Sequence, residues 1–136
     1  MKIQNPTSIS KEAQACLEKF FRNISFHKFC DRSWCGYQAE ADQIDVYNND
    51  LDVYDARDSA QLILQGSKIA SWGGEGDGAP LYMVWQCRRF EGSKVVEEFH
   101  FSIEGTKSSW SDNCYDEILT IVAPKQITVT HYYPVK

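Results

Sequence analysis

Apolar residues in the first part of the chain recur at the spacing of one helical face. They stand at intervals of one, three and four residues: Ile9, Ala13, Cys16, Leu17, Phe20, Phe21 and Ile24. Charged residues fall between them, and Ser8 or Ser10 can cap the first turn. This pattern predicts an amphipathic helix over residues 9–24, with one face on a core and the other in water.

Beyond residue 67 the apolar period changes to two, which is typical of strands. The predicted strands are 68–72, 81–90, 95–103, 118–122 and 127–133, with a hairpin turn at 91–93. In the third strand, Phe99, Phe101 and Ile103 share one face, and polar residues occupy the other. Such alternation favours an antiparallel sheet with one solvated face.

The middle of the chain gives weaker patterns. Residues 26–43 show no sustained period and predict a loop with a short strand, while 44–47 and 51–54 alternate around a turn and predict an acidic hairpin. Asp55 or Asp58 can cap a second, short helix over 56–65, with Gly66 as its end.

These elements together predict one α+β domain over residues 1–136. It contains an antiparallel sheet of four to six strands, a C-terminal meander within residues 67–133, with both helices packed on one face. A chain of 136 residues with 43% hydrophobic residues can bury such a core. It contains neither a membrane-length apolar run nor the apolar core of a secretion signal, so we expect a cytoplasmic protein without membrane contact.

Negative charge is concentrated in the acidic segment 40–58. The net charge is −5, and seven acids fall in this segment: Glu40, Asp42, Asp45, Asp50, Asp52, Asp55 and Asp58. Acidic surfaces repel phosphate backbones and attract basic proteins. We therefore expect no direct binding of nucleic acid, and a partner-binding surface made of these seven residues. The alternative is a solvated segment that only maintains solubility.

Glycines dominate the segment 73–78, which also contains Glu75 and Asp77. The two acids would repel phosphate, and a strand follows where a phosphate-binding loop needs a helix. Two carboxylates are also too few for a calcium loop. We interpret the segment as an interstrand connection that doubles as a contact loop, so Glu75 and Asp77 join the partner-binding residues.

Cysteine and histidine side chains offer two weaker possibilities for chemistry. His27, Cys30 and Cys35 could supply three zinc ligands, although their spacing lies at the edge of what zinc sites use. His100 and Glu98, with Cys87 or Cys114, could form a nucleophilic set. Free cysteine commonly packs as a small hydrophobe. We therefore assign no metal, no cofactor and no catalytic residue.

The second half of the chain is rich in aromatic residues. Trp72, Trp85, Trp110, Tyr82, Tyr115, Tyr132 and Tyr133 stand there. Core packing accounts for most of them. If some lie on the open sheet face beside Arg88 and Arg89, that face has the composition of an interface hot spot. A ligand pocket under a curved sheet would use the same residues.

Residues 69–136 combine several short motifs. These are Gly73-Gly74-Glu75-Gly76, Ser108-Ser109-Trp110, Tyr115-Asp116, Val122-Ala123-Pro124-Lys125, and Thr128-Val129 followed by Tyr132. In these motifs the chain resembles small proteins carried by bacteriophages and related mobile elements. It departs from that pattern at Glu117, where a glycine is usual. The resemblance implies a phage and host setting and no mechanism.

Two classes of function are consistent with these features. The first is a non-enzymatic acidic protein, monomeric or dimeric, encoded by a phage and acting in the bacterial cytoplasm. It would inhibit a basic nucleic-acid-binding host protein, such as a CRISPR effector or a nuclease, as anti-CRISPR proteins do; a toxin-immunity protein is a close variant. The second is a small enzyme or ligand-binding domain with a pocket under the curved sheet, which predicts buried ionisable groups there.

Overall fold

A computed structural model describes residues 1–35, 50–55, 57, 61–73, 78–106, 114–125 and 130–135. It confirms the α+β class. The helices are α1 (Lys11–Asn23) and α2 (Phe26–Cys35), and a short 3-10 helix precedes them at Pro6–Ser8. The strands are β1 (Lys2–Gln4), β2 (Asp50–Tyr54), β3 (Leu62–Gly73), β4 (Pro80–Glu91), β5 (Lys94–Thr106), β6 (Cys114–Tyr115) and β7 (Ile118–Val122).

The strands form one curled sheet in the order β1, β7, β5, β4, β3, β2, with β6 also paired to β5. Its centre is the predicted meander, in which β3, β4 and β5 pair antiparallel. The expectation of a purely antiparallel sheet is wrong, because β1 pairs in parallel with β7. A strand of three residues is too short to show a period of two, so the sequence pattern did not reveal it.

The position of the second helix also differs from the prediction over 56–65. Residues 62–65 begin β3, and the second helix is α2, within the stretch predicted as a loop with a short strand. Phe29 and Cys30 lie three and four residues after Phe26, and all three side chains are buried. They form the shortest apolar face that a helix can have. The run 62–64 is apolar and short, and such a run does not distinguish a helix from a buried strand.

The other strand predictions have mixed outcomes. Strands lie at 68–72, 81–90, 95–103 and 118–122, and a turn lies at 92–93, as predicted. The predicted strand 51–54 is part of β2, which pairs with β3. Its predicted hairpin partner, 44–47, lies outside the described residues. The strand predicted at 127–133 is wrong for 130–133, which are in no strand, and 127–129 are not described.

The two helices cover one face of the sheet, here called the inner face. Trp85 is fully buried there, stacked on Phe101 with 5.2 Å between ring centroids and contacted by Phe29 of α2 at 5.3 Å. Leu17 of α1 belongs to the same fully buried cluster. Apolar side chains therefore fill the space between helices and sheet, and we call the opposite sheet face the outer face.

A clamp made of Ser10, Glu97 and Arg89 holds the start of α1 against the sheet. The Ser10 hydroxyl accepts a hydrogen bond from the Ala13 amide at 3.0 Å and donates one to Glu97 Oε1. The Ser10 amide donates to Glu97 Oε2 at 2.9 Å, and Arg89 Nε donates to Glu97 Oε1 at 2.9 Å. One carboxylate thus connects the helix cap to β4 and β5.

The clamp shifts the pKa values of its two ionisable members in opposite directions. Burial by itself would raise the pKa of Glu97, but the hydrogen bonds from Ser10 and Arg89, together with the Arg89 charge, lower it below its usual range. The hydrogen bond to Glu97 raises the pKa of Arg89 despite partial burial. The ionised clamp therefore stabilises the folded state at neutral pH.

Glu97→Gln should lower the free energy of unfolding at pH 7 by about 1–3 kcal/mol, since it removes the carboxylate that Ser10 and Arg89 bind and leaves partly buried Arg89 with only its longer ion pair to exposed Glu91, 3.5 Å between Nη1 and Oε1. The pKa of Glu97 is lower in the folded state than in the unfolded state, where it is about 4.3. The contribution of ionised Glu97 to stability is therefore complete above the unfolded-state pKa and is lost as the pH falls through the folded-state pKa. Urea unfolding between pH 7 and pH 2 measures both effects, and the variant should lose less stability on acidification than the wild type.

The matched control is Glu98→Gln, which removes the neighbouring carboxylate on the outer face, where it is 56% exposed beside Arg88. An exposed pair contributes about 0–1 kcal/mol, so this variant should retain near wild-type stability. Equal stability losses in the two variants would contradict the role given to the clamp.

Candidate binding surface

The outer face of the sheet exposes a group of large apolar side chains, here called the aromatic patch: Ile69, Trp72, Tyr82 and Val84. Trp72 is 56% exposed, and its ring lies on that of Tyr82, with 4.1 Å between centroids. Ile69 is 54% exposed and occupies a register shift between Lys68 and Ala70. A bulge of this kind redirects a side chain, which is why alternation along β3 does not predict its position.

The aromatic patch extends across the sheet as a shallow apolar depression of about 200 Å³. Its lining includes Ile69, Tyr82, Val84, His100, Val122 and Pro124. The segment after β7 forms one wall, while the floor is the outer face of β4 and β5. This volume is below the roughly 300–1,000 Å³ of small-molecule pockets, so the shape suits the side chains of a partner protein better than an enclosed ligand.

A second depression of about 260 Å³, here called the acidic groove, adjoins the first at Tyr82 and Val122. It is lined by Tyr82, Ser102, Glu104, Asp116, Thr120 and Val122, among others. Glu104 stands opposite Tyr82 in the pairing of β5 with β4, and the Asp116 amide donates a hydrogen bond to the Glu104 carbonyl at 3.0 Å. Two carboxylate residues thus meet at one end of the outer face.

At the other end of the outer face, Arg88 and Glu98 form an exposed ion pair with 3.7 Å between Nε and Oε1. Arg89, by contrast, belongs to the clamp on the inner face. Of the two arginines considered in the sequence, only Arg88 therefore lies on the outer face, and it is six residues along β4 from Tyr82, about 20 Å away. Trp85 is in the core, and Tyr132 and Tyr133 are exposed in the C-terminal segment.

Of the nine predicted partner-binding residues, three lie in the described part of the chain: Asp50, Asp52 and Asp55. Asp50 and Asp52 belong to the edge strand β2, opposite Ser67 and Gln65 of β3. Asp52 is exposed between buried Leu51 and Val53, so its side chain faces the outer side, whereas Asp55 Oδ1 accepts a hydrogen bond from the Arg57 amide. Outside the described residues lie Glu40, Asp42, Asp45, Asp58, Glu75 and Asp77.

The glycine-rich segment connects β3 to β4, as predicted for an interstrand connection. Gly73 has a φ of 91°, and a Cβ atom there would lie 2.0 Å from the carbonyl oxygen of Pro80. Only glycine permits this close approach of the two strand ends. The loop thus begins beside Trp72, at the margin of the aromatic patch.

The nucleophilic set containing Cys87, His100 and Glu98 is excluded by the strand register. Cys87 pairs with Phe99 on the inner face and is fully buried, whereas His100 is on the outer face. Burial also raises the pKa of the Cys87 thiol, which opposes formation of a thiolate. Cys114 pairs with Thr106, six residues along β5 from His100, and is therefore about 20 Å away from it.

The zinc hypothesis gains no support from the described residues, which contain no group of three His, Cys, Asp or Glu side chains able to hold a metal ion. Cys30 is fully buried in the core, and the His27 ring lies edge-on to Tyr115 at 5.5 Å. Neither helix in the described ranges has the length and apolar character needed to span a membrane.

Comparison with known proteins adds no assignment. No protein-family model, no curated protein and no solved structure matches the chain. A functional assignment therefore depends on the geometry of the outer face.

Sequence reasoning missed Ser102, Glu104 and Asp116 as members of one site. Glu104 and Asp116 are twelve positions apart in sequence and become neighbours only through the pairing of β5 with β6. Ser102 was expected on a solvated face, yet it is only 3% exposed, between its strand neighbours Val84 and Thr120. The alternation along β5 correctly placed Ser102 on the polar face of the strand, but it did not predict that the side chain is buried there.

The cysteines should differ sharply in their reaction with iodoacetamide. Exposed Cys114 should be alkylated first in the folded protein, while Cys16 and Cys87 should react roughly 100-fold or more slowly, because both thiols are buried and burial raises the pKa of each. Peptide mapping by mass spectrometry gives the rate at each position. Alkylation in denaturant, where all sites should react alike, is the control, and rapid alkylation of folded Cys87 would contradict its placement in the core.

Proposed function

We propose that this chain is a non-enzymatic binding protein that docks a partner protein on the outer face of its sheet. The observation that carries the proposal is the contact of exposed Trp72 with half-buried Tyr82, with 4.1 Å between ring centroids, beside exposed Ile69 on the sheet face opposite the helices. Contiguous exposed apolar surface with a polar rim is typical of interaction sites. Tryptophan, tyrosine and arginine are also the residues that most often dominate binding energy, and Arg88 lies on the same face.

Electrostatics favour a basic partner. The net charge is −5, and Asp52, Glu98, Glu104 and Asp116 surround the outer face as exposed carboxylates. The acidic segment 40–58 contains the edge strand β2, in which Asp52 faces the outer side. Such a field repels a phosphate backbone and increases the association rate with a cationic protein.

In its full form, the proposal is a phage-encoded inhibitor of anti-CRISPR type in the bacterial cytoplasm. Its carboxylates would occupy the cationic surface of a CRISPR effector or a nuclease, where nucleic acid otherwise binds. The support for this form is the acidic segment together with the motif resemblance in residues 69–136. The identity of the captured protein would separate this proposal from its variant, a toxin-immunity protein, which caps a toxic nuclease.

Trp72→Ala should reduce affinity for the partner by about 2 kcal/mol or more, roughly 30-fold, because it removes the largest exposed side chain of the aromatic patch. The partner is first captured from a bacterial lysate with the tagged wild-type chain, identified by mass spectrometry and purified, and affinity is then measured by calorimetry. Tyr133→Ala is the matched control, since it removes an exposed aromatic ring from the C-terminal segment. Equal affinity of Trp72→Ala and wild type would overturn the assignment of the outer face.

Combined reversal of Glu40, Asp42 and Asp45 to Lys should abolish inhibition of the captured enzyme's activity on nucleic acid while circular dichroism remains that of the wild type. The effect is electrostatic, so wild-type binding should also weaken as salt rises from ~0.05 to ~0.5 M. Reversal of Glu12 and Glu18 on the exposed side of α1 is the control. If the variant with Glu40, Asp42 and Asp45 reversed still inhibits the enzyme as the wild type does, inhibition does not depend on these carboxylates. The aromatic patch would then be the binding determinant.

A further inference from the structure

Ser102 is a buried polar side chain whose chemistry the fold does not use. It is 3% exposed and lines the acidic groove. Within the described ranges, its hydroxyl has no hydrogen-bond partner. Buried hydroxyl groups in native proteins are nearly always hydrogen-bonded. A ligand group that donates to this oxygen would satisfy it.

The charges around Ser102 indicate the sign of that ligand group. Glu104 is two residues along β5 on the same face, and Asp116 is fixed beside Glu104 by the hydrogen bond between their main chains. No cationic side chain of the described residues forms an ion pair with either carboxylate. Two adjacent carboxylates without an internal cation create a site that attracts positive charge.

The shape and composition of the acidic groove distinguish among cations. Its protein ligands are too few for a metal, since the described residues hold no suitable group of three. Tyr82 lines the groove, and its ring centroid lies 4.1 Å from that of Trp72. A guanidinium group is planar, stacks on aromatic rings and donates to carboxylates through two parallel hydrogen bonds, whereas an ammonium group acts as a point charge.

We propose that the acidic groove binds an arginine side chain of the partner protein. The guanidinium group stacks on Tyr82, donates to the carboxylates of Glu104 and Asp116, and reaches the Ser102 hydroxyl. This inference deepens the proposed function and rests on it. It specifies that the partner presents an arginine next to the part of its own surface that contacts the aromatic patch.

The test uses the full chain labelled with ¹⁵N and titrated with N-acetyl-arginine methylamide while amide chemical shifts are followed. We expect saturable shifts at Ser102, Glu104 and Asp116, with a dissociation constant in the millimolar range, about 1 mM, for so small a probe. N-acetyl-citrulline methylamide, which has nearly the same shape and no charge, should bind at least about tenfold more weakly. Absence of saturable shifts with the arginine probe, or equal binding of citrulline, would overturn the proposal.

The double variant Glu104→Gln with Asp116→Asn should weaken binding of the arginine probe about tenfold or more. Glu18→Gln, which neutralises an exposed carboxylate of α1 and leaves the outer face unchanged, should leave it within about twofold of wild type. Unchanged binding by the double variant would refute the site. Free L-arginine brings its own carboxylate into an acidic site, so binding as tight as that of the blocked probe would point to an amino-acid ligand and against a partner side chain.

The captured partner separates failure of this inference from failure of the proposed function. If Trp72→Ala loses the partner and the Glu104→Gln, Asp116→Asn variant retains it at wild-type affinity, the outer face binds the partner but the acidic groove does not bind its arginine. If both variants lose affinity, the inference holds together with the function on which it rests.

Discussion

The placement of α1 against the sheet depends on one partly buried carboxylate. Glu97 receives hydrogen bonds from the Ser10 amide, the Ser10 hydroxyl and the Arg89 guanidinium, so the helix cap and two central strands share a single anion. Hydrophobic burial is non-directional and would allow α1 to slide along the apolar face. Charged hydrogen bonds have strict geometry and fix one position for the helix. The clamp therefore fixes where α1 lies on the apolar inner face of the sheet.

This asymmetry connects the core to the candidate binding surface. The inner face is filled by large rings such as Trp85 and Phe101, and neither α1 nor α2 covers the apolar residues on the outer face. Exposing Trp72 and Ile69 to water costs free energy that a monomer does not recover. A partner that covers these side chains recovers it. Burial of these side chains therefore favours association at the outer face.

Period and spacing were enough to predict the α+β class, the central meander and the two faces of β5, because each of these follows from runs of five or more residues with a regular period. They failed for β1, which has three residues, and for α2, whose apolar face consists of Phe26, Phe29 and Cys30. The acidic groove was beyond this reasoning for another reason. Glu104 and Asp116 are brought together by strand pairing and sheet curvature, and neither leaves a local signal in the sequence.

In the proposed partner surface, different residues provide long-range attraction, affinity and selectivity. The overall negative charge acts over about a Debye length, roughly 10 Å at 0.1 M salt, so it guides encounter with a basic protein without selecting a particular residue. The aromatic patch supplies affinity through burial, which is insensitive to the partner's exact chemistry. Selectivity then has to come from short-range, directional groups. Among the described residues of the outer face, Ser102, Glu104 and Asp116 combine such directionality with hydrogen-bond acceptors that lack a donor. Recognition of one specific side chain is therefore expected in the acidic groove and not at the aromatic patch.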